Sequence, residues 1–382
     1  MSTLKVDAIR HNSATSDAIT TVSDGTCTAK LTSVGGGQLS NRNMVINGAM
    51  MIAQRGTSAL TWGQGNAYQI DTFRGRNNGG EFSMQQVTDA PSGTGLYNSI
   101  KCQVTSADTS KGNTEYNTLV HIVEGYDFQR TSFGTSGAKT CTLSFYVKSN
   151  VTGTHTGAFV NVGNNRSLAY NYTINSANTW ERKTITIPGD TSGTWNKGNS
   201  VGIKIIFPLG IGASFQTANV NTWEATESMG TDDGQNLMAS TSNNLYLTGI
   251  QLEVGDTATS FEHRSRGEEL RRCQRYCVLK GGANGTYDAM ATGSVWNSTL
   301  AFVPYSLPVE MRTTPSFTLV GAVTDFMYSR GTSEVNPSNL EFDQAGLSML
   351  AVKVTGSSMT AGQATRLYNM NTNGGFLFTA EF

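Results

Sequence analysis

Apolar and polar residues alternate with a period of two in several short segments of this chain, as they do in a β-strand with one buried face. In the segment 201–207, the odd-numbered positions are apolar and the positions between them are mixed. The same alternation predicts strands at 140–148, 181–187 and 245–252. These segments are short, so the pattern predicts sheets built from many strands.

Turn-forming residues separate the predicted strands. A typical stretch is 189–193, Gly-Asp-Thr-Ser-Gly, in which glycine and aspartate favour tight turns. No helical periodicity is interleaved with the strands between residues 41 and 262. Many short strands joined by frequent turns are typical of two packed antiparallel sheets, so region 41–262 is predicted to be an all-β jelly-roll sandwich.

The segment 263–277 has the pattern of a helix. Its apolar residues share one helical face, and two glutamates lie in the first turn, where the helix dipole favours them: Leu270, Cys273, Tyr276 and Cys277, with Glu268 and Glu269. The other face is rich in arginine. Because the rest of the chain is neutral, we interpret this segment as a solvated connector helix and not as a nucleic-acid-binding one.

Strand patterning returns in residues 278–382. The candidates are 299–305, 316–320, 350–354 and 375–382. The last of them is too apolar to lie free in water and is predicted to be a buried final strand. We therefore expect a β-rich C-terminal domain, with the final strand buried inside that domain or at a subunit interface.

Residues 1–40 are too polar to bury a core of their own, and a run of three glycines at 35–37 resembles a linker. Such a segment should be stable only when it pairs with copies of itself or with a docking site. We predict an attachment or oligomerisation segment. The alternative is a floppy tail.

Composition supports this class of fold. Hydrophobic residues make up 37% of the chain and 42 residues are glycine, against 7 prolines, which suits short strands and tight turns better than long helices. Charged residues make up only 14%, and the net charge is −1. A nucleic-acid partner is not expected, because the chain has no basic field to hold phosphates.

The five cysteines are widely spaced and show no zinc-binding pattern, so we expect free, buried thiols and assembly in a reducing cytoplasm. The N-terminus has no apolar signal-peptide core, and no apolar run reaches the roughly 18 residues of a membrane span. Membrane insertion is therefore not expected.

Two stretches are similar to the two ends of a module that is common in bacteriophage tail-fibre and virion proteins. The first is SNRNMVINGAMMIAQRG at 40–56 followed by YQIDTF at 68–73, and the second is LYLTGIQLEVGDTATSFEHRSRGEELRRCQRY at 245–276. The opening residues MSTLKVD also resemble the starts of virion proteins from marine and cyanobacterial phages. The two stretches, 40–73 and 245–276, occur in the same order as in the module and enclose well over half of the chain.

This resemblance implies a jelly roll like that of carbohydrate-binding modules, in a homotrimeric fibre. The C-terminal domain, 278–382, would then form the tip or the trimer interface. It also implies that residues 1–40 bind other virion proteins, so that the subunit assembles in the host cytoplasm and is located in the virion. The segment TWER at 179–182 matches the module, so Trp180 is predicted to be a core residue. The chain departs from the pattern at Phe73 and Arg74, where the module has Arg-Trp, and at Met50, where an aromatic residue is frequent.

Enzyme motifs are missing from the sequence. The four histidines include no His-x-x-x-His pair, and no Gly-x-Ser-x-Gly elbow occurs. We predict no catalytic residue, no cofactor and no metal. The enzymatic alternative is a polysaccharide depolymerase, which needs two carboxylates about 5 to 10 Å apart. The acidic cluster at 223–234 offers Glu224 and Asp232, although it is also typical of a solvated loop that binds calcium loosely.

Glycan binding without cleavage is the predicted activity, because aromatic rings stack on sugars and short polar side chains bind their hydroxyls. The candidate residues lie in polar, glycine-rich contexts: Trp62, Trp195, Trp223, Asp232 and Asp233. For each tryptophan the alternative is structural burial. The sequence thus predicts a tail-fibre or appendage subunit that adheres to host-surface glycans. The alternatives are a purely structural head fibre, capsid decoration or tail connector, and the depolymerase.

Overall fold

The computed structural model describes residues 8–9, 19–21, 23, 27–29, 40–281, 289–370 and 373–382. Near the N-terminus, strands β1 (Ala8–Ile9), β2 (Ile19–Thr21) and β3 (Cys27–Ala29) form a small antiparallel sheet in that order. Most of the predicted attachment segment 1–40 lies outside the described residues, so its role stays a prediction.

The next part of the chain is an antiparallel β-sandwich of two sheets, which confirms the predicted fold class. The order of the six-stranded sheet is β11-β10-β13-β8-β5-β4, and that of the five-stranded sheet is β12-β9-β16-β7-β6. In chain order the strands are β4 (Gly65–Tyr68), β5 (Phe73–Asn78), β6 (Glu81–Val87), β7 (Ser99–Ser106), β8 (Tyr116–Glu124), β9 (Cys141–Ser149), β10 (Gly153–Val160), β11 (Ser167–Ile174), β12 (Glu181–Ile187), β13 (Val201–Ile211), β14 (Gln216–Thr217), β15 (Gly230–Thr231) and β16 (Asn244–Val254).

Strands β14 and β15 form a short parallel pair beside these sheets. Short helical turns interrupt the connections; they are α1 (Gly125–Phe128) and the 3-10 turns Gln129–Thr131, Ala213–Phe215 and Leu237–Ala239. The four strands predicted in this region are present, and β12 has the predicted bounds. The period of two thus identifies these four strands, whereas the other nine strands of the region were not predicted from it.

Alternate side chains from both sheets fill the space between them. Phe145 of β9 lies edge-to-face against Phe207 of β13 and Tyr172 of β11, with ring centroids 5.2 Å apart in each pair. All three residues belong to the main hydrophobic core, which runs the length of the sandwich. Burial of these rings contributes a large share of the stability of the domain.

The outer face of the six-stranded sheet is covered by the chain itself. Val120, Val160 and Ile206 point away from the main core and yet are buried, because Met229 and Phe215 of the crossing segment pack on them. The outer face of the five-stranded sheet carries half-exposed aromatic and charged side chains instead. The sandwich therefore presents one sheet face where a ligand can reach side chains in a row.

The predicted connector helix is α2 (Arg266–Gln274). The Ser265 hydroxyl caps it by accepting a hydrogen bond from the Glu268 amide at 3.2 Å. Cys273 and Tyr276 pack against Ile46 and Ile52 of the sandwich. At its end Arg275 and Tyr276 bind Glu124, which fixes the helix on the sandwich.

The C-terminal region is rich in strands, as predicted. A three-stranded sheet has the order β17-β26-β20, and a seven-stranded sheet has the order β22-β21-β25-β18-β19-β24-β23. The strands are β17 (Cys277–Gly281), β18 (Ala289–Val295), β19 (Leu300–Ser306), β20 (Ser316–Val320), β21 (Phe326–Arg330), β22 (Ser333–Val335), β23 (Asn339–Ala345), β24 (Met349–Thr355), β25 (Ala364–Asn369) and β26 (Gly375–Thr379), with a 3-10 turn at Val323–Asp325. The prediction of a buried final strand is confirmed, because β26 is the central strand of its sheet and Phe376 and Phe378 are buried.

Four cysteines have described side chains, and all four are free and buried: Cys102, Cys141, Cys273 and Cys277. Burial raises the pKa of each of these thiols, so they remain protonated at neutral pH. In the described ranges, no helix combines the length and the apolar character needed to cross a bilayer.

The carboxyl group of Glu381 is buried where the end of the chain meets the sandwich. Burial raises its pKa to about 7, and the nearby Asp71 carboxylate adds to this rise. Two cations oppose the rise: Arg55, which forms an ion pair with Glu381 at 2.8 Å, and Arg312. The folded state therefore holds a proton that the unfolded state releases above about pH 4.5. Glu381 contributes stability that is complete below this pH and is lost as the pH rises through about 7.

We expect the stability of the wild-type protein to fall relative to that of Glu381→Gln, by up to roughly 3 kcal/mol, as the pH is raised from about 5 to about 8. Glutamine keeps the shape of the side chain and does not titrate in this range. Thermal melts of both proteins along the pH series measure the difference. Melting temperatures that run in parallel for the two proteins would contradict the assignment.

Candidate functional site

Five outward-facing residues form a row across the five-stranded sheet. Four of them lie in β6, β7, β16 and β9, and the fifth immediately precedes β12. Tyr246 of β16 is paired with Lys101 on one side and with Lys148 on the other. Lys101 is paired in turn with Gln85. Trp180 precedes β12 and lies next to Lys148, because Glu181 is paired with the adjacent Val147. We call Gln85, Lys101, Tyr246, Lys148 and Trp180 the aromatic–lysine row.

The row faces outward because of simple strand alternation. Leu245 and Leu247 flank Tyr246 and belong to the core, so Tyr246 must point away from it. Phe145 and Val147 orient Lys148 in the same way. Neighbouring strands lie about 4.8 Å apart, so the row is about 19 Å long. That length accommodates several linked sugar rings.

Two aromatic rings and two ammonium groups are in contact along the row. The rings of Trp180 and Tyr246 lie 6.2 Å apart at an angle of 78°. The Nζ atom of Lys148 lies 4.4 Å from the centroid of Tyr246 and 5.2 Å from that of Trp180. Lys101 places its Nζ atom 5.7 Å from the Tyr246 ring. These distances are those of cation–π contacts, which hold the rings and the ammonium groups in place.

Asp89 anchors this arrangement from the loop that follows β6. The indole N–H of Trp180 donates a hydrogen bond of 3.0 Å to Asp89 Oδ1, and the Lys148 ammonium pairs with Asp89 Oδ2. Partial burial works against ionisation, but the hydrogen bonds from Lys148 and Trp180 hold the pKa of Asp89 below its usual value. The carboxylate is therefore charged at neutral pH and fixes the orientation of the Trp180 ring.

A second row of outward residues lies beside the first. Tyr146 of β9 is paired with Arg182 on one side and with Thr248 on the other. The Arg182 guanidinium donates to the Thr259 carbonyl at 2.6 Å, and the Thr248 hydroxyl donates to the Asn98 carbonyl at 2.7 Å. The Thr248 hydroxyl is buried, so the accessible sheet face combines three aromatic rings with an amide and cationic groups, which is chemistry that binds saccharides.

Of the predicted site residues, Trp195 and Trp223 lie together: Trp195 is part of the core, and Trp223 is partly buried against it. Their rings are 5.3 Å apart, and both lie edge-to-face against Phe133. Trp195 is only 6% exposed, and its indole N–H donates to the Ser192 carbonyl. Trp223 donates to the Pro188 carbonyl at 2.8 Å. Both side chains are engaged in packing, as the structural alternative stated.

Trp62 lies apart from this pair and also packs on the core. Its ring is edge-to-face with Phe82 at 5.0 Å. Its indole N–H donates to the Gly65 carbonyl at 3.3 Å, which closes a short turn. Gly75 has no side chain and so leaves room for the ring, because a Cβ atom there would lie 2.4 Å from Trp62. Trp62 is therefore partly buried against the core and is not part of the aromatic–lysine row.

Asp232 and Asp233 lie in the turn after β15, beside β11 of the six-stranded sheet. The Asp233 carboxylate accepts hydrogen bonds from Asn171 at 3.0 Å and from Thr231 at 2.6 Å, which ties the turn to β11. Asp232 is exposed. Glu224 accepts a hydrogen bond from Asn219. Within the described ranges, no three His, Cys, Asp or Glu side chains are grouped as a metal site would require.

The prediction that Trp180 is a core residue was wrong, because its ring lies half-exposed on the outer face of the five-stranded sheet. Tyr246, Lys148 and Lys101 were not predicted as site residues at all. The signal was present, since Tyr246 and Lys148 occupy the outward positions of predicted strands. Their convergence depends on which strands are neighbours, and this is not visible in the alternation.

No protein-family model and no curated protein matches this sequence. Solved structures that resemble it include the enzymatically active domain of tailspike protein 4 of bacteriophage CBA120, with 10% identity, a TM-score of 0.29, and 56% of this chain and 21% of that chain covered. A second is described as a sugar-binding protein of Bacteroides thetaiotaomicron, with 12% identity, a TM-score of 0.32, and 56% and 100% covered.

A third is a family 11 carbohydrate-binding module of a cellulosomal cellulase of Clostridium thermocellum, with 16% identity, a TM-score of 0.25, and 53% and 99% covered. The chain thus spans about a fifth of the tailspike domain, and nearly all of each of the two smaller proteins lies within the match. Likenesses at this level leave the function of the chain to be argued from its own residues.

Proposed function

We propose that this protein is a non-enzymatic glycan-binding subunit of a phage appendage and that the aromatic–lysine row is its binding surface. The observation that carries the proposal is the contact of Trp180 and Tyr246 on an open sheet face, with their orientation fixed by Asp89 and Lys148. Half-exposed rings that are held in place lose little conformational freedom on binding, which favours stacking on a sugar.

The appendage role is supported by the sequence motifs at 40–73 and 245–276, which resemble those of phage fibre proteins. Copies displayed together on one particle would turn weak single-site contacts into strong adhesion. On this proposal the subunit is a homotrimer in the virion, attached through residues 1–40. Measurement of the molar mass in solution tests the trimer. A mass equal to that of one chain would contradict it.

The binding surface is tested with the purified full chain on immobilised polysaccharides of neutral and acidic kinds. We expect retention on at least one of them. Trp180→Ala should weaken that binding about tenfold, which corresponds to the loss of about 1.4 kcal/mol of stacking. Trp296→Ala is the matched control, because Trp296 is 70% exposed and lies in the C-terminal domain.

Two outcomes would contradict the proposal. The first is that the protein binds no polysaccharide, and the second is that both tryptophan variants bind like the wild type. The products of the same incubations test the non-enzymatic part. Shortening of a polysaccharide that is lost in Glu224→Gln or Asp232→Asn would identify a depolymerase instead.

A further inference from the structure

Positively charged side chains outnumber negatively charged ones around the two aromatic rings of the row. Lys101 and Lys148 flank Tyr246, and Arg182 lies in the neighbouring row, whereas Asp89 is the carboxylate that touches the row. We propose that the row binds saccharides that carry carboxylate groups in preference to neutral ones. This inference rests on the proposed function and specifies the class of glycan.

The cations differ in how they are neutralised. Lys148 pairs with Asp89. Lys101 contacts the Tyr246 ring, and Arg182 donates to the carbonyl of Thr259. Among the residues that the structure describes, no carboxylate lies within ion-pair distance of Lys101 or Arg182. The surface therefore has an excess of two positive charges, and this excess lies next to the rings.

The placement of Lys101 suits an acidic sugar. It is directly opposite Tyr246 across the strand pair and its Nζ atom lies over the Tyr246 ring, so a sugar that reaches the row at Tyr246 also reaches this ammonium group. Lys101 is half-buried, and a partly buried charge is screened less by salt than an exposed one. A hydrogen bond between ammonium and carboxylate is also about twice as strong as one between neutral groups.

Single-stranded nucleic acid is the other polyanion that stacks on aromatic rings next to cations. The observations favour the saccharide. The net charge of the chain is −1, whereas proteins that follow a phosphate backbone usually carry a strong positive field. Beyond the charged groups, the row carries the half-exposed amide of Gln85, which suits sugar hydroxyls.

The test compares each acidic polysaccharide with its own neutral form. Alginate, polygalacturonate and hyaluronan are immobilised beside samples in which the carboxylates have been reduced to alcohols, and oligo-dT serves as the nucleic-acid probe. We expect at least one acidic polymer to bind the full chain about tenfold more tightly than its reduced form. Raising the salt concentration from about 0.05 M to about 0.5 M should weaken that binding severalfold.

Variants assign the preference to the row. Lys101→Gln should weaken binding of the acidic polymer about three- to tenfold more than it weakens binding of the reduced polymer, and Lys101→Arg should restore the preference. Lys353→Gln, in the C-terminal domain, is the control for the loss of one positive charge. Thermal melts of each variant confirm that the fold is intact.

The outcomes separate this inference from the proposed function. Equal binding of acidic and reduced polymers, with weaker binding by Trp180→Ala, overturns the inference and leaves the proposed function standing. Tighter binding of oligo-dT than of any acidic polymer also overturns the inference. If no polymer of either kind binds, the proposed function fails and the inference fails with it.

Discussion

Replacing Arg275 with alanine is expected to lower the free energy of unfolding by about 3 kcal/mol or more. The guanidinium of Arg275 donates two hydrogen bonds to Glu124, at 2.6 and 2.8 Å, and Tyr276 donates a third at 2.6 Å. The Glu124 side chain is only 2% exposed. Without Arg275, a buried carboxylate loses the cation that neutralises it, and this cost is far larger than that of a surface pair.

Denaturant unfolding of the variant and the wild type measures the change. The matched control is Arg366→Ala, because the Arg366–Glu334 pair is exposed on both sides and should contribute less than about 1 kcal/mol. Arg275→Met combined with Glu124→Gln should recover part of the loss, since the buried charge is then removed. Equal effects of Arg275→Ala and Arg366→Ala would show that the helix is not held by this ion pair.

Replacing Phe145 with alanine is expected to destabilise the protein by about 3–5 kcal/mol. The Phe145 ring is fully buried and connects the two sheets, since it contacts Phe207 and Tyr172 of the opposite sheet. Alanine would remove these contacts and leave a cavity that a rigid sandwich cannot close. Phe145→Leu, which fills much of the volume, should cost clearly less.

The same unfolding experiment tests this prediction. Tyr97→Ala serves as the control because Tyr97 is 72% exposed, and its effect should stay within about 0.5 kcal/mol. A loss below about 1 kcal/mol for Phe145→Ala would mean that the sheets are not held together at this point. Both predictions concern stability, so glycan binding by the folded variants should be unchanged.

The outcome for the tryptophans shows what limits reading a site from sequence. Trp62, Trp195 and Trp223 lie in glycine-rich, polar segments, which suggested exposure, but each finds core partners far away in the chain. Trp180 precedes a strand, which suggested burial, but its ring lies on the outer face. Local composition describes the neighbours along the chain, whereas exposure depends on the neighbours in space.

The sequence by itself determined eight of the strands, including the buried final strand, and the connector helix, because the periods of two and 3.6 residues arise from local backbone geometry. The fold class follows from those elements. Only the tertiary structure decided that β7, β16, β9 and β12 are neighbours in this order, and so placed Lys101, Tyr246, Lys148 and Trp180 in one row. Sheet order and register depend on contacts between residues that are distant in the chain. The alternation within one strand does not indicate which strand lies next to it.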